Sequence, residues 1–104
     1  MKKIVLLMLA IAAVAFASDA EVANQTLKAY SVVAAGIGLG LAALGGAIGM
    51  GNTAAATIAG TARNPGLGGK LMTTMFIALA MIEAQVIYAL VVAMIALYAN
   101  PFLG

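Results

Sequence analysis

The chain has 104 residues, 65% of them hydrophobic and 8% charged, with a formal net charge of +2. That is too little polar surface to cover a soluble globule of this size, so the chain belongs in a membrane. Cysteine and histidine are absent, which excludes disulfides, thiol chemistry and the usual zinc or haem ligands, and with no basic cluster or aromatic platform a nucleic-acid role has no support.

The opening segment, MKKIVLLMLAIAAVAFASDAE, has a basic start (Lys2, Lys3), an apolar stretch and the pair Ala15 and Ala17 in an A-x-A arrangement. Residues 1–17 read as a signal peptide cut after Ala17. The alternative is an uncleaved first anchor helix. The short basic start is bacterial in style, because organelle transit peptides are longer and rich in Arg and Ser. Cleavage would leave the new N-terminus outside the cytoplasm.

Ser18-Asp19-Ala20-Glu21 fits the S-x-x-E capping box, so a helix is expected to begin at Ser18, with two acids at its positive end. This first helix should cover residues 18–62. From Ala29 to Ala62 there is no charge, a run well beyond the ~20 residues that span a bilayer. At ~1.5 Å per residue it is on the order of 50 Å long, so the helix should protrude from the membrane.

Eight glycines lie between Gly36 and Gly60, each costing roughly 1 kcal/mol in a helix interior relative to Ala, so they need a packing reason. On a helical projection Gly36, Gly40, Ala43, Ala47, Gly51 and Ala54 fall within about 80° of arc. Gly38, Ala42, Gly45, Gly49, Ala56 and Gly60 fall nearly opposite, and Ile37, Leu41, Leu44 and Ile48 form a bulky stripe between the two. One stripe of small residues makes a pairwise contact. Two opposed stripes let each helix pack closely on both sides, as in a closed ring of identical copies.

The helix should break at TARNPGLGGK: Pro65 cannot continue it, Asn64 is pushed out of the α region, and glycines follow. Residues 63–70 form a polar loop holding Arg63 and Lys70, the only bases beyond Lys28. By the positive-inside rule this loop is cytoplasmic and both termini are outside. A second apolar helix follows over 71–104. The expected fold is all-α: a two-helix transmembrane hairpin, too small to enclose a pathway alone.

Glu83 is the one acid beyond Glu21, and it lies roughly 18 Å along the second helix from Leu71. Its own face carries Phe76, Leu79, Ile87 and Leu90. An ionised side chain at mid-membrane costs at least ~2.5–3.5 kcal/mol on insertion scales. The neutral acid is therefore the form that lipid tolerates, and the proton leaves where water or a cation is offered. Such a group is a carrier for one proton. Tyr88, five residues on, is expected to reach back toward Glu83. Gln85 reads as an interface residue and Tyr98 as an interfacial anchor.

The hairpin, the glycine-patterned first helix, the loop and the buried acid together resemble the c-subunit, the ring proteolipid, of the F-type ATP synthases. The resemblance runs from about Val32 to Phe102, through LGGAIGMG, ARNP and IEAQVIYALVVAMIALYANPF. It implies a ring of hairpins in a bacterial inner membrane, first helix inside, with Gly36, Gly38, Gly40, Gly45, Gly49 and Gly51 as packing residues. Glu83 would be the proton-binding carboxylate, supported by Tyr88. It would exchange protons with half-channels of the stator a-subunit, whose Arg keeps the sites apart. Arg63, Asn64 and Pro65 would face the central stalk subunits gamma and epsilon, with Asn64 in place of the usual Gln. The chain by itself would not be an enzyme, and its other partners would be identical copies and membrane lipid.

Sodium-type members place a Gln in the first helix and a Ser or Thr after the acid. Here those positions resemble Met50 and Ala84, which offer no oxygen, whereas sodium needs several. Asn52 lies one helical step away, and nothing replaces the hydroxyl. Protons are therefore the expected cargo, with no cofactor or metal. The rival readings are a small multidrug antiporter, which has four spans and its acid in the first; a holin or coat protein, which needs no such acid; and a vacuolar-type proteolipid. Ring size does not follow from the residues.

Overall fold

A computed structural model describes residues 1–103. Helix α1 runs from Lys2 to Arg63 and helix α2 from Gly68 to Tyr98. One-turn 3-10 helices follow each of them, Pro65–Leu67 at the corner and Pro101–Leu103 at the end. The molecule is a rod of 94 × 16 × 9 Å. Its length is that of α1, since 62 helical residues rise about 93 Å. Both helices are long and apolar enough to cross a membrane.

The two helices lie antiparallel in one unbroken register. At the corner Gly60 faces Leu71, and eleven residues further along each helix Gly49 faces Ile82. Eighteen residues further again, Asn100 Nδ2 donates to Ser31 Oγ at 3.0 Å. Eleven residues are close to three helical turns, so the same face of α1 returns to the same face of α2 with little need to coil. The seam is built from small residues: Ser31, Ala35 and Gly46 on α1 and Ala93 on α2 are buried.

Gly46 is the tightest point of the seam. A methyl built on it would stand 2.7 Å from Val86 Cγ2 and 3.6 Å from Ile82 Cγ2. Toward the corner, Thr53, Thr57 and Thr61 line the seam, and each hydroxyl donates to the carbonyl four residues earlier at 2.8 Å. That removes an unpaired donor from an apolar setting. Little else is covered. Ile37, Leu41, Leu44 and Ile48 are 56–63% exposed, because two helices have no inside in which to place them.

Several expected boundaries shift. The chain is helical from Lys2, and the capping box at Ser18–Glu21 does not start α1. Nothing between Ile4 and Ala35 breaks a helix, since neither Pro nor Gly occurs there. Arg63 joins the last turn of α1, where its charge suits the negative helix end. The corner is shorter than 63–70, because α2 already begins at Gly68. Asn64 takes an extended backbone (φ −142°, ψ 85°) as the residue before Pro65. Its N–H still donates to Gly60 O and its carbonyl accepts from Leu67 N–H, both at 3.0 Å, which closes the turn. Gly68 fits beneath Thr61, whose Cγ2 would be 3.0 Å from an added methyl. The second helix ends at Tyr98 rather than continuing, because Pro101 cannot donate to it. Gly104, placed in the second helix by sequence, lies outside the described residues.

Candidate functional site

Glu83 is the central residue of α2, with fifteen helical residues on either side of it. Either end of the helix is therefore about 22 Å away. Its neighbour Ile82 packs into the seam against Gly49. One residue on is a turn of 100°, so Glu83 points along the flank of the hairpin and is exposed there. Phe76, Ile87 and Leu90 stand exposed on the same side. The carboxylate has a bulky apolar surround and an open approach from one side.

Tyr88 does not reach back to Glu83 within the chain. Five residues are 500° of rotation, or 140° net, which carries Tyr88 to the other flank. It stands 70% exposed there. The hairpin thus has an acid on one flank and a phenol on the other. Met50 and Ala84 are half-buried and Asn52 is exposed. Gln85 is exposed beside the seam.

The glycines divide by direction. A methyl built on Gly36, Gly38, Gly40, Gly45 or Gly51 meets nothing within 4 Å, so these five border open space, Gly38 in a groove that it lines with Ala89, Val92 and Ala93 of α2. Gly49 faces α2, with Ile82 Cδ1 3.5 Å from an added methyl. Gly46, which the two-stripe projection leaves out, is the glycine the seam most needs. Its signal was the Gly45-Gly46 pair, which puts a small residue on a third face. Ser31 and Asn100 were also passed over; an Asn directly before Pro101 at a helix end was their sign.

Arg63, Asn64 and Pro65 come together at the corner, all exposed at the end of the rod. Lys70 lies in the first turn of α2 beside them. This is a charged knob about 22 Å from the carboxylate.

The sequence model of the ATP synthase C-subunit family matches residues 33–96, more than half of the chain. The chain belongs to this family. The match takes in the open glycines, the corner and Glu83. Over 104 residues the chain is 93% identical to the ATP synthase c-subunit of Aliarcobacter butzleri, with all of both chains covered. The same full coverage holds at 83% identity for that of Sulfurimonas denitrificans and at 77% for that of Campylobacter fetus. As a member of the family the chain is a membrane component of an ATP synthase and works as a ring of copies. The four spans of a small multidrug antiporter do not form, since the described residues make two long helices.

Proposed function

We propose that the ring of these chains is the proton-carrying rotor of the synthase, with Glu83 of each copy holding one proton. The observation that carries this is the placing of the acid at the midpoint of α2, on a flank that lipid or a partner can reach. In lipid the carboxyl stays neutral, since its ionised form costs at least ~2.5–3.5 kcal/mol at that depth. It ionises where water enters and the stator Arg of the a-subunit compensates the charge. A membrane potential supplies ~2.3 kcal/mol per charge per 100 mV, comparable with that cost. The field is therefore strong enough to bias which carboxyls are charged.

Closing a ring brings one flank of each hairpin against the other flank of the next. The partner for Glu83 is then Tyr88 of the neighbouring copy, a phenol that can donate to the carboxyl oxygen. The bulky stripe Ile37, Leu41, Leu44 and Ile48 lies away from α2 and lines the bore. The corner, with Arg63, Asn64 and Pro65, meets the central stalk subunits gamma and epsilon. It faces the cytoplasm of a bacterium whose inner membrane holds the ring, and both termini are outside. The chain moves ions and catalyses no bond change itself.

The cargo is the proton, because Met50 and Ala84 present a thioether and a methyl where sodium would need oxygens. A carboxyl-directed carbodiimide tests both points on the purified ring. Modification of Glu83 is expected to stop proton transport, and added sodium is expected to leave the rate of modification unchanged. Sodium protection overturns the proton assignment. Undiminished transport after full modification overturns the role of Glu83.

A further inference from the structure

Among the described residues no helix lies beside residues 2–27 of α1. The described part of the return path reaches Pro101–Leu103, where Leu103 lines a shallow groove with Lys28, Ser31 and Val32. Beyond that level α1 continues alone for about 39 Å. The order of residues along this free end matters. Nearest the hairpin is a polar collar of Ser18, Asp19, Glu21, Asn24, Gln25 and Lys28. Beyond the collar the helix is apolar again, with Ile4, Leu6, Leu7, Leu9, Val14 and Phe16 each 61–76% exposed. Where α1 crosses the bilayer beside α2, this apolar end stands on the far side of the collar, in water. A ring would repeat that exposed patch in every copy, and isolated soluble surfaces of this kind are rare.

The same end carries the parts of a translocation signal, with Ala15 and Ala17 third and first before the Ala17–Ser18 bond. We propose that the Ala17–Ser18 bond is a processing site, hydrolysed by a membrane-bound endopeptidase that accepts small residues at those two positions. Water adds across the amide, leaving the Ala17 carboxylate on the leader and a free amine on Ser18. The cut gives the capping box a use that it lacks in the uncut helix. With Ser18 at the helix start, its hydroxyl and the Glu21 carboxylate satisfy free amides, and Asp19 and Glu21 offset the new amine and the positive helix end. Ala15–Ala17 lie within α1, so this part of the helix has to open for the bond to enter the protease as extended chain.

The proposal rests on the membrane-ring reading, which sets where α1 leaves the bilayer. Its test is the intact mass of the protomer taken from a detergent-extracted oligomer of the full-length chain expressed in a Gram-negative bacterium. The expected species begins at Ser18, having lost all 17 leader residues, and Ala17→Leu restores the uncut chain. An oligomer of uncut wild-type chains, or a cut at another bond, overturns the processing site and leaves the ring standing. Chains that begin at Ser18 yet form no oligomer uphold the processing site and count against the ring.

Discussion

Helix α1 holds eight glycines between Gly36 and Gly60 and no charge from Ala29 to Ala62. Helix α2 has glycine only at its first two positions and a single acid at its midpoint. Both cross the same apolar medium, so the difference is one of work. On α1 the relevant property of a side chain is its size, because its faces must take α2 on one side and copies on the others. On α2 it is charge at one position, because the rest of the helix only has to be tolerated by lipid and by the seam. Substitutions that change size should matter on α1, and those that remove charge should matter at Glu83.

The largest effect tests the α2 half of that contrast. Glu83→Gln keeps shape and hydrogen-bonding capacity and removes the proton that can leave. Proton flux through the ring, followed in sealed vesicles, is expected to fall on the order of 10²-fold or more, the loss typical of removing a proton-transfer group. The oligomer should be unchanged in size. Flux that survives in Glu83→Gln breaks the assignment of charge to α2.

Next come two glycines on different faces of α1. In Gly46→Val the first added carbon already falls 2.7 Å from Val86 Cγ2. Val86 is β-branched and has no other rotamer to offer cheaply. Overpacking of about 1–3 kcal/mol should loosen the hairpin itself. Adding Val86→Ala should recover part of it, as expected for two residues in contact. Gly40→Val meets nothing within 4 Å in the hairpin. It should leave the hairpin folded and reduce the yield of oligomer, since that face is kept for a neighbouring copy. Helix content by circular dichroism against oligomer size in detergent separates the two. If both variants lose the same property, the faces of α1 are not divided as described.

The hairpin, its corner and the acid at the midpoint of α2 were legible because each follows a local rule: apolar length, a proline after Asn64, a lone acid in an apolar run. The direction of each glycine was only partly legible. A helical projection shows which residues share a face, and it cannot say which face the second helix takes. Here α2 settles on the stripe Ser31, Ala35, Gly46 and Gly49, so Gly46 becomes the tight contact while Gly38 and Gly45 stay open. Tyr88 is a related case: five residues bring two side chains near in height but not in direction within one helix, and in the proposed ring a second copy would set one flank against the other. The capping box at Ser18–Glu21 does not mark the start of α1 in the uncut chain, because the leader before it is itself a good helix that runs from Lys2.

The smallest effect concerns the end of the hairpin opposite the corner. Ser31 is 8% exposed. Its hydroxyl donates to Leu27 O at 2.8 Å and accepts from Asn100 Nδ2 at 3.0 Å. Asn100 Oδ1 in turn accepts the Phe102 N–H at 3.0 Å, so one serine ties the terminal turn to α1. In Ser31→Ala the amide keeps only a longer bond to Ala96 O at 3.4 Å. Asn100 is half-exposed, so water can take the freed N–H and the loss should stay near the usual ~0.5–1.5 kcal/mol for a hydrogen bond. That is a few-fold increase in opening of the last turns of α2, readable as faster amide exchange after Ala96, with proton flux unaltered. Ser31 lies about 26 Å along α1 from the level of Glu83, and it carries neither the size nor the charge on which the two helices depend. If Ser31→Ala stops transport as Glu83→Gln does, the chemistry is not confined to one residue of α2, and the division of work between the helices fails.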